Sequence, residues 1–387
     1  MNICRKLAGN VFGKGFSMAT NEFCDSFLCR TVPRFCSTVT NNLDLKKERE
    51  EFLNALPGVI DVIAKHPKFK EIPLAEEWMR KVINGTVTGG KNARGLNTVI
   101  SYRMFESPEK INEETLRQAR TLGWCAEILQ AFLVVLDDMM DGSVSRRGQP
   151  CWYLRADVGI GHAINDAILI YYCLQQLLRA NFENSPHYLA YVHNFNEVLF
   201  YTCIGQHLDI MTGQQKKDYN LFTREHYESI IINKSAYYTY KLPLMLGMIL
   251  SNRFNEETHK NVENISLLLG KLFQMQDDYI DCFGDKSLTG KLGNDIQEGK
   301  CTWLAVNALN RCSDKHRKVF KVCYGSKEPA HVERIKQLYV ELNIPQVFKQ
   351  EENEIYNFII QKINNLPLAS ERALYQVILN ELYGRKR

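Results

Sequence analysis

The chain has 387 residues, 45% hydrophobic and 24% charged, enough apolar material for a sizeable core and too much for a disordered or fibrous protein. Lys and Arg number 48 against 44 Asp and Glu, a formal charge of +4. Residues 1–40 hold five of the basic side chains (Arg5, Lys6, Lys14, Arg30, Arg34) and two acidic ones (Glu22, Asp25), a net of +3, so the rest of the chain is close to neutral and offers no basic stripe for nucleic acid.

In chain order, residues 1–42 read as a leader. They lack hydrophobic periodicity, combine Arg and Lys with Ser, Thr and Gly, and contain no compact apolar segment of the secretory kind. A mitochondrial transit peptide is the expectation. The alternative is a cytoplasmic protein with a disordered extension, and Met18 offers an internal start. Twelve cysteines scattered from Cys4 to Cys323 without a CxxC pair read as reduced, mostly buried side chains. No charge-free run of about 18 apolar residues appears, so no transmembrane segment is expected.

Residues 43–387 read as one domain, helical almost throughout. Leu43, Phe52, Leu53, Leu56, Val59, Ile60 and Ile63 recur at helical spacing and predict a first amphipathic helix. Further helices are predicted over 93–106, 112–142, 161–181, 186–211, 221–234, 236–250, 262–283, 299–311, 328–340, 345–363 and 368–382. Ser185-Pro186 supplies an N-cap with proline in the first turn. No alternating runs bounded by hairpin turns compete, and no Pro/Gly/Ser-rich linker divides the chain. The fold class is therefore all-α, a single large helical bundle, with the glycine-rich stretches 85–95 and 284–299 as functional loops.

Two segments of this bundle concentrate like charge: Asp137-Asp138-Met139-Met140-Asp141 and Asp277-Asp278-Tyr279-Ile280-Asp281. On a helix the first and last aspartates of each lie one above the other, with the second beside them. Such carboxylates repel unless something neutralises them, and each cluster directly follows an apolar run, at 132–136 and 267–273. Hard divalent cations do so, and Mg²⁺ bridges carboxylates to phosphate oxygens rather than sitting in a closed protein cage. A lone cluster reads equally well as a solvated acidic helix end; two, 140 positions apart, point to a diphosphate site. Arg146 and Arg147 follow the first cluster, and Lys291 and Lys300 follow the second, as bidentate donors and mobile charges for a diphosphate. The nine histidines form no HExxH or comparable cluster and read as structural, and Trp152 and Tyr153 read as core packing.

Six motifs in order carry a family resemblance: Gly90-Lys91-Asn92-Ala93-Arg94; 129–141, ending in the first cluster; Arg146-Arg147-Gly148-Gln149-Pro150-Cys151-Trp152-Tyr153; Lys234-Ser235-Ala236-Tyr237-Tyr238; 273–285, around the second cluster; and Gly290-Lys291-Leu292-Gly293-Asn294-Asp295-Ile296. Residues 45–387 resemble the short-chain trans-isoprenyl diphosphate synthases, most closely the eukaryotic farnesyl diphosphate synthases. The resemblance implies a helical bundle of the isoprenoid synthase type around a deep central cavity, and a homodimer. It implies that Asp137, Asp138, Asp141, Asp277, Asp278 and Asp281 bind three Mg²⁺ per site, with Mn²⁺ or Co²⁺ as substitutes. Arg146, Lys234, Gln274, Lys291 and Lys300 would hold the allylic diphosphate, and Lys91, Arg94, Gln130 and Arg147 isopentenyl diphosphate. Ser235, with the Lys234 carbonyl and Gln274, would stabilise a carbocation from their dipoles, and the basic tail Gly384-Arg385-Lys386-Arg387 would close over isopentenyl diphosphate. The implied activity is head-to-tail condensation of isopentenyl diphosphate with dimethylallyl and then geranyl diphosphate, giving farnesyl diphosphate and pyrophosphate.

Product length is set, by the same resemblance, about one helical turn below Asp137, where Phe132 and Leu133 would form the floor of the prenyl pocket. Animal farnesyl synthases carry two phenylalanines there. Leu133 departs from that pattern, which leaves open a geranyl or bifunctional geranyl/farnesyl diphosphate synthase and, further off, a geranylgeranyl diphosphate synthase. A terpene cyclase would need one diphosphate pocket only, whereas Lys91, Arg94 and Arg147 argue for two. A catalytically silent partner subunit would have an eroded aspartate cluster, and both are intact.

Overall fold

Two 28-residue helices, Glu113–Met140 and Glu256–Phe283, carry the aspartate clusters, and both grow out of the same four residues. In Asn112-Glu113-Glu114-Thr115 and Asn255-Glu256-Glu257-Thr258 the asparagine side chain accepts the Thr N–H (3.1 and 2.9 Å). The Thr hydroxyl in turn accepts the Asn N–H, at 3.0 Å in each. This reciprocal box satisfies N–H groups that an N-terminus otherwise leaves unpaired, with two glutamates in the first turn favoured by the helix dipole.

The computed structural model describes residues 44–214, 219–284 and 293–383. The expected leader 1–42 with Met18, the loop residue Lys291 and the basic tail 384–387 lie outside the described residues. In chain order the helices are α1 Leu45–Asn54, α2 Leu56–Ala64, α3 Pro67–Glu71, α4 Pro73–Val87, α5 Ala93–Phe105 and α6 Glu113–Met140. A hairpin follows, β1 Ser145–Arg146 with β2 Gln149–Pro150, then α7 Gly159–Phe182, α8 Tyr188–Gln214, α9 Arg224–Ile231, a π-helix Ile232–Lys241, α10 Leu242–Leu250 and α11 Glu256–Phe283. The last elements are α12 Asp295–Glu298, α13 Trp303–Arg311, α14 Asp314–Cys323, α15 Pro329–Glu341, α16 Ile344–Asn364 and α17 Ala369–Leu382.

Several boundaries differ from the sequence reading. The first helix breaks at Ala55, where Pro57 opens α2. α4 and α14 were not expected: α4 runs into the Gly- and Thr-containing stretch that read as loop, and α14 is mostly charged. α11 starts six residues earlier than expected, because residues 256–261 are polar and only the capping box announces them. The two helices predicted over 221–234 and 236–250 are one continuous rod, in which Ile232–Lys241 is wound as a π-helix, a distortion frequent at functional sites. Two glycines clamp this segment. A Cβ on Gly205 of α8 would fall 2.2 Å from the Lys234 nitrogen, and one on Gly270 of α11 would fall 2.2 Å from Ala236 Cβ. Only glycine at both places lets α8 and α11 close on the π-helix from two sides.

α6 is the axis of the core. Between Ala119 and Leu129 every residue is buried, with Trp124 stacked on Phe52 of α1 at 4.5 Å. α6 is also the one described helix long and apolar enough to cross a membrane by composition, but 72% of that window is buried among α5, α7, α10 and their neighbours. From Gln130 onward Phe132, Leu133 and Val134 regain partial exposure, and the helix ends at its aspartates. None of the described cysteines is joined in a disulfide to another described cysteine.

Candidate active site

Asp137, Asp138 and Asp141 at the end of α6 are answered by cations from three other elements. Arg146 on β1 lays its guanidinium on Asp138, with Nη2 2.5 Å and Nε 3.1 Å from Oδ1, and lies 3.8 Å from Asp137. Lys234 on the π-helix places Nζ 3.0 Å from Asp137 and 2.6 Å from Asp209 of α8. Lys300, in the loop before α13, forms an ion pair with Asp141. Burial by itself would raise the pKa of Asp137, but Lys234, Lys300 and Arg146 outweigh it and hold the carboxyl well below the usual range. Asp141 goes the other way: burial, with Asp137 adding to it, raises its pKa against the pull of Lys300. Asp209 is held down by Lys234 and Lys300 against its own burial.

The short hairpin explains how neighbouring arginines reach different places. Arg147 and Gly148, both at positive φ (54° and 74°), form the two-residue turn between β1 and β2. Arg146 stays on the strand and faces the aspartates. Arg147 turns away, donates to the carbonyls of Thr86 (3.1 Å) and Thr88, and lies against Gly90. Trp152, just beyond, is 5% exposed and donates from Nε1 to Asp166 at 2.9 Å, and Tyr153 donates to the Ser143 carbonyl, so both are structural.

On the opposing wall Asp278 is 3% exposed and accepts from the Trp303 N–H at 2.7 Å and Gln274 Nε2 at 2.9 Å. Burial pushes its carboxyl up to about 7 despite those donors. Asp281 accepts from the N–H groups of Asn294 (3.1 Å) and Asp295 (3.4 Å) at the start of α12, and Asp277 is half-buried beside them. Ser235 donates to Gln274 Oε1 at 3.0 Å, joining the π-helix to α11. Lys300 spans the two walls, since its loop leads into Trp303, which holds Asp278, while its ammonium reaches Asp141.

The donor set fits a hard divalent cation in chemistry: carboxylates only, several of them buried. It does not close a cage. Among the described residues no three His, Cys, Asp or Glu side chains converge on one point, so a cation here would need waters or phosphate oxygens to complete its shell. The Asp278 shift has a consequence in the absence of metal. The folded state holds this proton more tightly than an unfolded carboxylate of pKa about 4 does, so the group's contribution to stability is present below about pH 4 and lost as pH rises through about 7. Metal-free protein is expected to lose more Tm between pH 6 and pH 8 than Asp278→Asn does. Thermal stabilisation by Mg²⁺ plus pyrophosphate is expected to grow over the same interval, because the cation takes the charged form. Parallel thermal scans of both proteins check it, and identical pH slopes would contradict the assignment.

A second polar region lies where α5 begins. Arg94 donates to Thr239 Oγ1 (2.7 Å) and the Tyr238 hydroxyl (3.1 Å) and stacks on the Tyr238 ring at 4.5 Å. Glu127 of α6 accepts the Gly95 N–H at 2.9 Å, which brings this end of α5 against α6. Gln130 follows one turn later, while Lys91 is exposed on the preceding turn. Buried Arg94 Nε, Asn92 Nδ2 and Gln130 Oε1 have no hydrogen-bond partner in the protein, as expected of a surface built for a polar ligand. Arg147 feels the charges of Glu127 and Arg94, which sets it near this end of α5.

Below the first cluster Phe132 packs against Tyr171 of α7 (centroids 5.4 Å), whose hydroxyl donates to Asn196 Oδ1 of α8 at 2.6 Å. Sequence reasoning missed Tyr171 and Asn196, and also Asp209 and Thr239, while Tyr238 stands in one of its motifs without a role of its own. Asp209 left a trace, a lone carboxylate between Leu208 and Ile210 on a helix expected to be buried. The others owe their place to contacts between elements far apart in the chain.

An all-helical fold with buried carboxylates on two walls, bridged by Lys300 and flanked by a second cationic region, is the arrangement of an enzyme that handles diphosphate esters. A family model described as polyprenyl synthetase matches residues 76–342. Similar proteins include the farnesyl pyrophosphate synthases of Murgantia histrionica (39% identity over 343 residues, 88% of this chain and 83% of the relative) and Homo sapiens (38% over 362 residues, 91% and 85%). A similar solved structure is the T. brucei farnesyl diphosphate synthase complexed with risedronate, with a TM-score of 0.83 at 31% identity, covering 88% of this chain and all of that one. The chain belongs to the polyprenyl synthetase family.

Proposed function

We propose that this enzyme is a farnesyl diphosphate synthase, which joins isopentenyl diphosphate to dimethylallyl and then geranyl diphosphate. The observation that carries the reading is the pairing of two polar regions beside one apolar floor. Asp137, Asp138, Asp141 and Asp278 with Arg146, Lys234 and Lys300 suit the diphosphate that leaves, and Arg94, Gln130 and Arg147 suit one that stays. Similarity at 36–39% to several farnesyl pyrophosphate synthases supports the substrate assignment.

The six aspartates of the two clusters would hold Mg²⁺, with Mn²⁺ or Co²⁺ competing for the same oxygens. When bound, the cations stabilise the negative charge that develops on departing pyrophosphate. The chain's own groups do the rest. Arg146, Lys234 and Lys300 are preassembled around the first cluster as ion pairs and turn towards the allylic diphosphate when the carboxylates are engaged. The C–O bond breaks, the isopentenyl double bond attacks the allylic cation, and a proton passes to the departed pyrophosphate. The Ser235 hydroxyl oxygen, the Gln274 amide and the Lys234 carbonyl direct their dipoles at the cation, while Phe132, Leu133 and Tyr171 keep water from the prenyl chain. The test is to incubate the purified enzyme with isopentenyl diphosphate and each allylic partner under Mg²⁺, Mn²⁺ and Co²⁺ and to size the products. A cyclic hydrocarbon formed from farnesyl diphosphate alone, without isopentenyl diphosphate, would count against condensation.

A homodimer belongs to the same reading. Ile160, Ile164, Ile168 and Tyr172 expose a four-residue-spaced stripe on α7, and Leu189, Phe200 and Ile204 are exposed on α8, Phe200 at 64%. Monomers rarely leave such a face in water. Ile168→Asp with Phe200→Asp is expected to convert a dimer to a monomer in sedimentation velocity, and a parent that sediments as a monomer removes the assignment. The composition of the leader supports delivery to mitochondria, testable by fractionation of cells expressing the full chain and one lacking residues 1–42.

A further inference from the structure

The loop that presents Lys300 is held from behind by residues with no part in the mechanism so far. The Lys300 N–H donates to the Asp295 carbonyl at 3.1 Å, and its own carbonyl accepts the Thr302 N–H at 3.0 Å and the Tyr324 hydroxyl at 2.6 Å. Both peptides flanking Lys300 are therefore pinned, which leaves its side-chain rotamers as the remaining freedom. Tyr324, the residue after α14, is itself fixed. It is 3% exposed, stacks on Phe320 with centroids 4.4 Å apart and 20° between planes, and meets Phe222 edge-on at 6.1 Å. Gly325 completes the dock: its N–H donates to the Ile296 carbonyl at 2.8 Å, and a Cβ on Gly299 would come within 3.3 Å of its Cα. Gly299 and Gly325 both adopt positive φ (70° and 75°), which this close crossing of two turns requires.

We propose that Tyr324 is a positioning residue for the condensation: through its hydroxyl it fixes the Lys300 backbone, so that the ammonium moves between Asp141 and the allylic diphosphate from a constant origin. This rests on the reading of Lys300 as a ligand of that diphosphate. A lysine reaches its partner through four rotatable bonds, so a loose backbone would add disorder at the moment the leaving group must be gripped. Burial raises the Tyr324 hydroxyl well above the usual tyrosine range, so it remains a neutral donor throughout the working pH range.

The test compares Tyr324→Phe, which deletes one oxygen, with Tyr375→Phe, which deletes the same atom from a fully buried tyrosine whose hydroxyl has no partner in the protein. For Tyr324→Phe, KM for geranyl diphosphate and the calorimetric Kd for inorganic pyrophosphate with Mg²⁺ are expected to rise about fivefold, the change for one neutral hydrogen bond. KM for isopentenyl diphosphate stays at the parent value, and Tyr375→Phe changes neither constant. In a Lys300→Met background the effect of Tyr324→Phe disappears, because the group it positions is gone. Equal shifts in both KM values, full additivity with Lys300→Met, no shift, or a Tyr324→Phe protein that does not fold would each overturn the proposal by making the hydroxyl merely structural. A parent that fails to elongate geranyl diphosphate removes the functional reading instead, so the two failures are distinct.

Discussion

Alanine at Asp137 is expected to lower kcat by about 10²–10³-fold at saturating Mg²⁺ and saturating substrates, with little change in Tm. The loss follows from removing a carboxylate that Lys234, Lys300 and Arg146 keep ionised and that would otherwise ligate the cation. The fold should survive because the cations around it have other partners. Arg146 keeps Asp138, Lys234 keeps Asp209 at 2.6 Å, and Lys300 keeps Asp141. Removing one of three clustered carboxylates also relieves repulsion within the helix. Single-turnover chemistry with geranyl diphosphate, alongside a thermal melt, measures both sides. Near-parent turnover would falsify the metal role of Asp137, whereas an unfolded variant would show that the Lys234 pair is a structural necessity.

Phe132→Ala is expected to shift the main product from fifteen to twenty or more carbons. Its ring lies five residues before Asp137 on α6 and packs on Tyr171, so removing it opens space towards α7. Tyr171→Ala should act in the same direction, because the hydrogen bond to Asn196 at 2.6 Å is what keeps that ring beneath Phe132. Leu133, the position that departs from the two-phenylalanine pattern, is half-buried, and Tyr171 supplies aromatic bulk to the floor from another helix. A pocket discriminates one methylene by about 1–3 kcal/mol, and a five-carbon unit presents a much larger steric difference, so the change should be visible in product sizing. Radiolabelled products of unchanged length from both variants would remove the floor from Phe132 and Tyr171.

The sequence by itself determined the helical class, the two carboxylate clusters and most of the cations that serve them. These are local properties. Hydrophobic period, capping and the i, i+4 stacking of like charges depend on residues within a few turns of one another, so Asp137 and Asp277 announce themselves without a partner in view. The same locality explains where the reading stopped. The polar start of α11 carried a capping box but no apolar stripe, and the rod from Arg224 to Leu250 looked like two helices because nothing within it reports Gly205 and Gly270 pressing on its π-wound centre. The family resemblance already parted Arg146 from Arg147, but only the tertiary structure shows how two adjacent arginines reach different places, through a two-residue turn at positive φ. Only it supplied Asp209 for Lys234, Tyr171 for Phe132 and Tyr324 for Lys300, pairs 25, 39 and 24 residues apart whose distances are set by how helices pack. Charges that repel within one helix can be read from that helix alone, but the side chains that neutralise, position or wall them come from elsewhere in the fold.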